Sequence, residues 1–558
     1  MSRRERRSQL DSRVDLQIRQ LPDPITDAAA DNLMLHWIVR LRWPIFVLLA
    51  IIQIAAFNGR WRIGRDGSLY RSVAHNLATG QGYTFRGQRE THVYPGLPRM
   101  LATVEKIFGE EDVLRPIVSL TIMALLGALT LVIVYQMIRL HFPLWMAVCV
   151  TTGVGINLEF LEQSHDFMTD VPFLLGVCLT LLGIGRLWRD QTPRRRTFAV
   201  LMAVAGAVIT ITTRPTFWAL ALPFIVLCIL GIARAQRRWW YAAGAGAVIA
   251  LVLLWWTLDP RTAGLHPLAG KYESMVAFRL SQMDLIKSPQ RLLLTWEKEF
   301  PVGLFGFEMI FPLGTLLALT IIAWWIWLLP RCPLWSLYVI VTMLMMLVLG
   351  GKPRYFLMIL PMMLIAWALA VHWVSLRLRR WPYAPECIML LGLGVATAPN
   401  LIRCIGFIME QHGFDRTFTR HNFLEVYRGG DMLPVYQMAQ LIKQNVPPNK
   451  KVIGQESRIT TFISGRSVFS ASDAIGPARP PASLLLLKKL NPHYLAYGEQ
   501  VGNGRLLQQL IRRRLVRINW RSMIGQPQMY VVGISIPEVK PPNPAPTTRR
   551  APATQPSK

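Results

Sequence analysis

One acidic residue in this sequence stands where a carboxylate could remove a proton from a substrate, and a second stands where a carboxylate is costly to place in a membrane. Asp66 follows the first long apolar segment and lies in the polar stretch 64–70, and Asp170 comes at the start of a later apolar segment. A carboxylate beside an acceptor hydroxyl can act as a general base. The structural alternative for Asp66 is a cap or turn residue, since Asp before Gly67 is common at helix ends.

Cationic and aromatic side chains near the ends of other apolar segments could bind an anionic or polar substrate. A guanidinium or ammonium group in a turn can hold a phosphate. The alternatives are interface-anchoring or snorkelling cations and, for Asp166 and Asp170, a helix cap or a favourable place at a helix N-terminus. The candidate substrate-binding residues are Tyr70, His92, Tyr94, Asp166, Asp170, Arg214, Lys352, Arg354 and Tyr355.

Composition places these residues in a membrane protein. The chain has 558 residues, of which 52% are hydrophobic, and its apolar runs approach the ~20 residues that cross a bilayer. The net charge of +29 could suggest a nucleic-acid partner. Most of the arginines, however, lie in short loops between apolar runs, as the positive-inside rule expects, so we expect no nucleic-acid partner. The six cysteines show neither metal-ligand nor disulfide spacing.

The apolar runs predict about eleven membrane spans. Arg and Lys concentrate in alternate loops, which predicts a cytoplasmic N-terminus and an extracytoplasmic C-terminus. All the candidate residues then lie on the outer face. A retained N-terminal anchor without targeting signals fits a bacterial inner membrane. The predicted spans are 43–57, 113–138, 143–157, 168–186, 197–212, 215–233, 240–257, 308–329, 334–349, 355–374 and 385–408.

The fold class expected is a polytopic α-helical membrane protein with a small C-terminal extracytoplasmic α/β domain. Within the first outer loop, helical spacing over 68–78 and 97–108 predicts two amphipathic helices along the membrane interface. The C-terminal domain should contain helices at 435–443 and 484–490, strands at 451–455, 494–497 and 529–534, and a turn at 464–466. The predicted divisions are an Arg-rich head 1–42, a membrane domain 43–409 with outer loops 58–112 and 258–307, the α/β domain 410–539 and a disordered tail 540–558.

Several short motifs resemble those of the GT-C superfamily of polyprenyl-phosphate-sugar-dependent glycosyltransferases. The first loop, 64–83, resembles that group's pattern of an Asp, a Tyr one turn later and an A-x-N-L-x-x-G-x-G stretch. Residues 94–98, 169–172, 213–216 and 354–361 are similar to its Y/P-P-x-x-P, T-D-x-P, T-R-P/Q-T and R-Y-x-x-P elements. Within the superfamily, the likeness is to protein mannosyltransferases, aminoarabinose transferases and rhizobial lipopolysaccharide-core transferases.

The resemblance implies specific roles for the candidate residues. Asp66 would be the base that deprotonates the acceptor, and the sugar would leave a polyprenyl phosphate with inversion on the outer face. Arg354 and Lys352 would bind the donor phosphate, while Asp170 and Arg214 would shape the cavity. Many relatives have an acidic pair at the first position, whereas Gly67 follows Asp66 here.

Cofactors and partners follow from the same resemblance. Some relatives use a divalent metal, for which Glu90 and His92 are the candidates here, but two groups two residues apart lack metal-site spacing. We therefore expect no required metal. The expected partners are a polyprenyl-phosphate-linked hexose or pentose donor, the bilayer, and a glycan, lipid or protein acceptor.

Two other functions remain open at the level of the sequence. A lipid or glycan transporter or flippase usually shows repeat symmetry and matched broken spans, and no clear repeat is visible here. A non-catalytic scaffold is the other alternative. Sugar transfer from a lipid carrier would indicate a glycosyltransferase. Ion or lipid flux without turnover would indicate a transporter.

Overall fold

A computed structural model gives the architecture of the chain, which divides into two compact units, Met1–Phe418 and Thr419–Lys558. The structure describes residues 33–535 with some gaps. Residues 1–32 of the predicted head, nearly all of the span 240–257, most of the loop 258–307, the helix 484–490, the tail and His92 lie outside the described residues. The gaps are 91–92, 110, 113–114, 190–191, 234–243, 245–294, 311, 350–351, 379, 382, 414–431, 455, 471–491, 499–516 and 527–528.

The first unit is helical and holds every candidate residue. Two short 3-10 turns, Pro215–Phe217 and Pro353–Ile359, interrupt the helix order, and a π-turn, Thr295–Glu299, precedes α11. The helices are α1 (Leu33–Arg40), α2 (Arg42–Ala55), α3 (Arg65–Ala78), α4 (Gly96–Phe108), α5 (Ile117–Arg139), α6 (Leu144–Gly155), α7 (Leu158–Ser164), α8 (Asp170–Arg189), α9 (Pro193–Thr213), α10 (Trp218–Ala233), α11 (Phe300–Phe305), α12 (Leu313–Leu328), α13 (Pro333–Leu349), α14 (Leu360–Arg377) and α15 (Ala384–Gly413).

Long apolar helices make this a membrane protein. Within the described ranges, 5 helices are long and apolar enough to cross a bilayer, or up to 7 if the bent pairs α1–α2 and α6–α7 each count as one span. The helices α10, α12 and α13 are apolar but shorter. Each predicted span that falls in the described residues coincides with a helix, whereas the total of eleven spans stays a prediction.

The helix that begins at Asp170, α8, is the most enclosed of the long helices, and it packs against α9 through small residues. A Cβ at Gly176 would lie 2.8 Å from the carbonyl oxygen of Gly206, and a Cβ at Gly206 would lie 2.6 Å from that of Gly176. Close approach of backbones through small residues is a common way for membrane helices to associate. This contact brings the start of α8 and the end of α9 to the same end of the bundle.

The loop between α2 and α5 folds onto the same end of the bundle. It contains α3, a two-stranded hairpin (β1, Thr84–Phe85; β2, Gln88–Arg89) and α4. The His75 Nδ1 atom lies 2.6 Å from Glu105 Oε1 and joins α3 to α4. At the start of α4, a Cβ at Gly96 would lie 2.8 Å from the carbonyl oxygen of Thr212 near the end of α9. Helices α3 and α4 thus coincide in sequence with the two predicted helices, whose place along the membrane interface stays a prediction.

The second unit contains a mixed five-stranded sheet in the order β4-β3-β5-β7-β6, with parallel β3–β4 and β3–β5 pairs. Helix α17 and strands β4 and β6 are present where the sequence analysis assigned no helix or strand. Strand β6 carries a register shift between Asn519 and Ile524 that breaks its alternation. The elements are α16 (Met432–Asn445), β3 (Lys451–Ile453), α17 (Ser457–Ser464), β4 (Ser467–Phe469), β5 (Tyr494–Gly498), β6 (Arg517–Gln526) and β7 (Met529–Ser535).

Candidate active site

Asp66 and Arg354 form an ion pair between the first loop and the 353–359 turn. The Arg354 Nη2 atom donates to Asp66 Oδ2 over 3.2 Å, although 288 residues separate the two. Asp66 lies in the first turn of α3, where the N-terminal helix dipole favours a carboxylate. Its side chain remains 32% exposed, so a substrate can reach it. Arg354 Nε has no hydrogen-bond partner among the described residues.

Asp170 and Arg214 form a second ion pair, which is more deeply buried. Asp170 is fully buried at the start of α8, and Arg214 lies between α9 and the 215–217 turn. The two side chains share a hydrogen bond through Asp170 Oδ1. In the part of the chain that the structure describes, Asp170 Oδ2 has no hydrogen-bond partner. The pair therefore presents one buried carboxylate oxygen that is not committed to a neighbour.

Tyr355 connects the two ion pairs. The Arg214 guanidinium carbon lies 5.4 Å from the centre of its ring, and that of Arg354 lies 5.3 Å from it. Both distances are within the range of a cation–π contact. The structure thus brings Asp66, Asp170, Arg214, Arg354 and Tyr355 into one group.

Tyr70 belongs to the same group, one helical turn after Asp66. It shares a side-chain hydrogen bond with Thr169. Burial, followed by the Asp66 carboxylate, raises the pKa of Tyr70 well above its ordinary value, and Arg214 opposes this rise only in part. Tyr70 therefore stays protonated and can donate a hydrogen bond, which leaves Asp66 as the exposed candidate for a base.

The other candidate residues are placed less closely. Lys352 is exposed two residues before Arg354. Tyr94 is half-buried just before α4, and its role at the site stays a prediction. No three His, Cys, Asp or Glu side chains within the described ranges form a group that could hold a metal ion. Glu90 is half-buried at the end of the β1–β2 hairpin.

Asp166 joins the loop before α8 to the first loop. Its Oδ1 accepts hydrogen bonds from Trp61 Nε1 and from the Phe167 backbone N–H, each at 2.7 Å. Trp61 is fully buried, and its ring lies 5.0 Å from that of Phe167. These contacts give Asp166 a structural role in holding the two loops together. A substrate contact by Asp166 stays a prediction.

Gly67 allows α3 to lie against this Trp61–Phe167 contact. A Cβ at position 67 would lie 3.0 Å from Trp61 Cζ2 and 3.4 Å from the carbonyl oxygen of Phe167. The guanidinium of Arg71, one turn further along α3, lies 5.7 Å and 5.3 Å from the two ring centres. A side chain at this position would fit only if its neighbours gave by a few tenths of an ångström, so glycine suits the close packing of α3 here.

The turn that carries Arg354 rests on a short helix inside the bundle, α11. A Cβ at Gly303 would lie 3.0 Å from the carbonyl oxygen of Pro353, and Phe300 makes an edge contact with Phe356 at 5.2 Å. The carbonyls at the end of α11 and of Gly306 after it accept from side chains of α15 and of the α6–α7 connection, as buried backbone groups in a membrane require. These bonds are Asn157 Nδ2 to Gly303 at 2.9 Å, Asn400 Nδ2 to Leu304 at 3.0 Å and Arg403 Nη1 to Gly306 at 2.9 Å.

Sequence reasoning missed these supporting residues. Asn157 and Asn400 are amides within apolar segments, and Arg403 is a charge within one, so the cost of polar groups at membrane depth was the signal that could have found them. Trp61 and Arg71 had no comparable signal, because a tryptophan and an arginine in a polar loop are unremarkable in type.

Comparison with solved structures finds the same fold in two transferases. The crystal structure of ArnT from Cupriavidus metallidurans bound to undecaprenyl phosphate superposes with a TM-score of 0.53 at 12% identity, covering 88% of this chain and 97% of that one. The archaeal oligosaccharyltransferase AglB from Archaeoglobus fulgidus, in complex with an inhibitory peptide and a dolichol-phosphate, gives 0.52 at 13% identity over 82% and 69%.

A second structure of the Archaeoglobus fulgidus oligosaccharyltransferase, in complex with zinc and sulfate, gives a TM-score of 0.56 at 15% identity over 81% and 68% of the two chains. No protein-family model matches this chain, and no curated protein sequence does so significantly. At such low identities the likeness shows the fold. The fold expected from the motifs is confirmed.

Proposed function

We propose that this chain, which has the GT-C fold, is an inverting glycosyltransferase that moves a monosaccharide from a polyprenyl phosphate to a glycan, lipid or protein acceptor. The observation that carries the proposal is the contact between the partly exposed carboxylate of Asp66 and the guanidinium of Arg354. The fold neighbours add support, because the ArnT structure holds undecaprenyl phosphate and an AglB structure holds dolichol-phosphate.

The chemistry at this group is a displacement at the first carbon of the sugar. Asp66 takes the proton of the acceptor hydroxyl, the acceptor oxygen forms a bond to that carbon, and the bond to the phosphate oxygen breaks on the opposite side. The configuration of the carbon is therefore inverted. The departing phosphate gains the electron pair, and its negative charge is stabilised by Arg354 with Lys352 nearby.

Arg354 can serve both partners because of its geometry. A guanidinium presents five N–H donors in a planar fork. One of them contacts Asp66, while Nε has no hydrogen-bond partner within the described part of the chain. A phosphate oxygen that accepts from this fork would hold the first carbon of the sugar between the phosphate and Asp66, as displacement from the opposite side requires.

The buried Asp170–Arg214 pair supports this arrangement through Tyr355. It fixes Tyr355 by contact with Arg214, and Tyr355 in turn contacts Arg354. Asp170 and Arg214 thus shape the site and hold the phosphate-binding arginine in place. Tyr70 and Thr169 complete the wall on the side of α3.

The proposed orientation puts the site outside the cytoplasm. The N-terminus would be cytoplasmic and the C-terminus extracytoplasmic, in a bacterial inner membrane. The Arg-rich loops between the spans support this orientation through the positive-inside rule.

The experiment uses the purified chain in lipid nanodiscs with a panel of polyprenyl-phosphate hexoses and pentoses. We expect one donor to be turned over, and we expect Asp66→Asn to lower turnover by about 10²–10⁴-fold, the usual contribution of a positioned base. Asp112→Asn is the matched control, because Asp112 is an exposed carboxylate of the same loop. It should leave turnover unchanged.

Two results would contradict the proposal. Turnover that survives in Asp66→Asn would remove Asp66 from the role of base. Lipid or ion flux without turnover of any donor would support the transporter instead.

A further inference from the structure

Glu159 is an acid within the helix bundle to which the proposed reaction assigns no role. It lies in the first turn of α7, directly after the 64° bend between α6 and α7. The residue is half-buried. An ionisable group at membrane depth is costly and usually marks a functional site, so the presence of this carboxylate needs a physical reason.

Helix α7 places Glu159 beside the turn that carries Arg354. The helix packs against both this turn and α8. At its start, the Asn157 side chain donates to the Gly303 carbonyl oxygen over 2.9 Å. A Cβ at Gly303 would in turn lie 3.0 Å from the carbonyl oxygen of Pro353. The start of α7 and the start of the turn are therefore neighbours, although they are far apart in the sequence.

Glu159 also shares its electrostatic surroundings with the candidate active site. The charges that act on its carboxylate are those of Glu162 on the same helix, of Arg403 on α15, of Asp170 and of Arg354. Asp170 and Arg354 interact with each other as well. The carboxylate of Glu159 thus lies at the side of the site that α7 and α15 form.

Neither of two structural roles accounts for Glu159. The start of α7 already has a cap, because Asn157 Oδ1 accepts from the Phe160 backbone N–H over 3.2 Å. Arg403 donates to the Gly306 carbonyl oxygen over 2.9 Å, and in the described part of the chain no ion pair joins it to Glu159. The carboxylate is therefore available for another hydrogen-bond donor.

A second acceptor on the same face of α7 is also unused. Gln163 follows Glu159 by four residues, and residues at this spacing share one face of a helix. Gln163 is 8% exposed, and its Oε1 atom has no hydrogen-bond partner among the described residues. Buried polar atoms normally have such partners. Acceptors on α7, together with the unpartnered Nε of Arg354 on the neighbouring turn, indicate a place for a polar part of the substrate.

We propose that Glu159 binds a ring hydroxyl of the donor sugar. This inference rests on the proposed function, in which Arg354 holds the phosphate to which the sugar is joined. A sugar attached directly to that phosphate brings its hydroxyls close to the turn and to the neighbouring face of α7. A carboxylate accepts from hydroxyls more strongly than a neutral group does, so Glu159 would select donors by the position of a hydroxyl.

Native mass spectrometry of the purified full-length chain in detergent tests this contact without turnover. The probes are undecaprenyl phosphate and its mannose, glucose, galactose and arabinose conjugates. We expect Glu159→Gln to lower the affinity for at least one sugar-bearing lipid by about 10-fold, because a hydrogen bond to a charged group becomes one to a neutral group. The affinity for undecaprenyl phosphate should not fall, since this lipid has no sugar hydroxyl and the change removes a negative charge from the surroundings of its phosphate.

Glu162→Gln is the matched control. Glu162 is a half-buried acid of the same helix, but its Oε1 lies 3.0 Å from Arg62 Nη1 in an ion pair. We expect Glu162→Gln to keep the parent's affinity for every lipid. Glu159→Asp is a second test, since it keeps the charge but withdraws the carboxylate by one methylene. It should also weaken sugar binding, with an unfolding midpoint close to that of the parent, so it remains informative if Glu159→Gln unfolds.

Several outcomes would overturn the proposal. These are an unchanged affinity of Glu159→Gln for every sugar-bearing lipid, an equal loss for undecaprenyl phosphate, and an equal loss in Glu162→Gln. Parent-like binding of all the lipids by Glu159→Asp would show that only the charge of Glu159 matters, as a balance for Arg403. If the parent binds no sugar-bearing lipid, the proposed function fails together with the contact. If the parent binds one and Glu159→Gln binds it equally well, only the contact fails.

Discussion

At the scale of single residues, the two acids of the site differ in their access to water. Asp66 is 32% exposed, whereas Asp170 is fully buried against Arg214. Loss of one partner of a buried pair leaves the other charge unpaired, at a cost of about 3–5 kcal/mol. We therefore expect Asp170→Asn to lower the midpoint of thermal unfolding in detergent, and Asp66→Asn to leave it nearly unchanged.

A double variant tests whether the lower stability expected for Asp170→Asn comes from the unpaired arginine. If the cost of Asp170→Asn comes from the unpaired arginine, adding Arg214→Gln should restore part of the stability, because no uncompensated charge then remains. Equal unfolding midpoints for Asp66→Asn and Asp170→Asn would contradict the assignment of Asp170 to a buried structural pair.

Arg354 tests the proposed phosphate contact. In Arg354→Lys the charge remains, but the planar fork of donors is lost. We expect kcat/KM for the donor to fall by about 10- to 100-fold, since a hydrogen bond to a charged group contributes about 1.5–3 kcal/mol. The reverse change, Lys352→Arg, should have little effect, because Lys352 is exposed. An unaltered donor KM and kcat in Arg354→Lys would remove Arg354 from phosphate binding.

At the scale of elements, the position of α3 depends on the absence of a side chain at residue 67. In Gly67→Glu, which would create an acidic pair, the new Cβ would lie 3.0 Å from the Trp61 ring. The Trp61 ring or the helix must then give by a few tenths of an ångström, and a shift of the helix would carry Asp66 away from Arg354. We expect Gly67→Glu to lose activity together with stability, and Gly67→Ser to lose less of both. A fully active Gly67→Glu protein would show that the packing does not position Asp66.

A glutamate side chain from earlier in the chain caps the start of each of two apolar helices. Glu111 accepts from the backbone N–H groups of Val118 and Ser119 at the start of α5. Glu297 accepts from Gly314 and Thr315 in the same way at the start of α12. Carboxylates at these positions satisfy orphan donors and favour the helix dipole.

Glu297→Gln therefore tests how the second loop is attached to the bundle. Loss of a helix cap typically costs about 0.5–2 kcal/mol, so we expect a lower unfolding midpoint. Glu308→Gln is the matched control, because Glu308 is exposed between α11 and α12. Equal midpoints for the two variants would show that the Glu297 cap contributes nothing to stability.

The elements also show what local patterns can and cannot predict. Charged side chains at the ends of apolar segments are costly, so Asp66, Asp170, Arg214 and Arg354 could be selected from the sequence. Their pairing could not be predicted, because 288 residues separate one pair and 44 the other. Local periodicity does not specify which helix ends meet. The short helix α11 was missed because its six residues are too few for a periodic signal.

At the scale of the whole molecule, the orientation in the membrane can be tested with a native cysteine. Cys387 is exposed in the first turn of α15, next to the predicted inner segment 375–384, and the other five cysteines are buried or half-buried. A membrane-impermeant maleimide should therefore label Cys387 in inside-out vesicles and leave it unlabelled in right-side-out ones. Cys387→Ser should abolish the signal, and labelling from the opposite side would reverse the proposed topology.

The charged side chains of the site set its net charge before and after the proposed transfer. Asp66 and Asp170 carry two negative charges, and Arg214, Arg354 and Lys352 carry three positive ones. These five side chains therefore have one excess positive charge, which matches the single negative charge of a phosphodiester donor. The phosphate that remains after transfer carries about one charge more, but Asp66 has then been neutralised by the acceptor proton. The product state is balanced until that proton escapes to water. Loss of that proton would leave an excess negative charge beside the spent carrier, which favours release of the carrier.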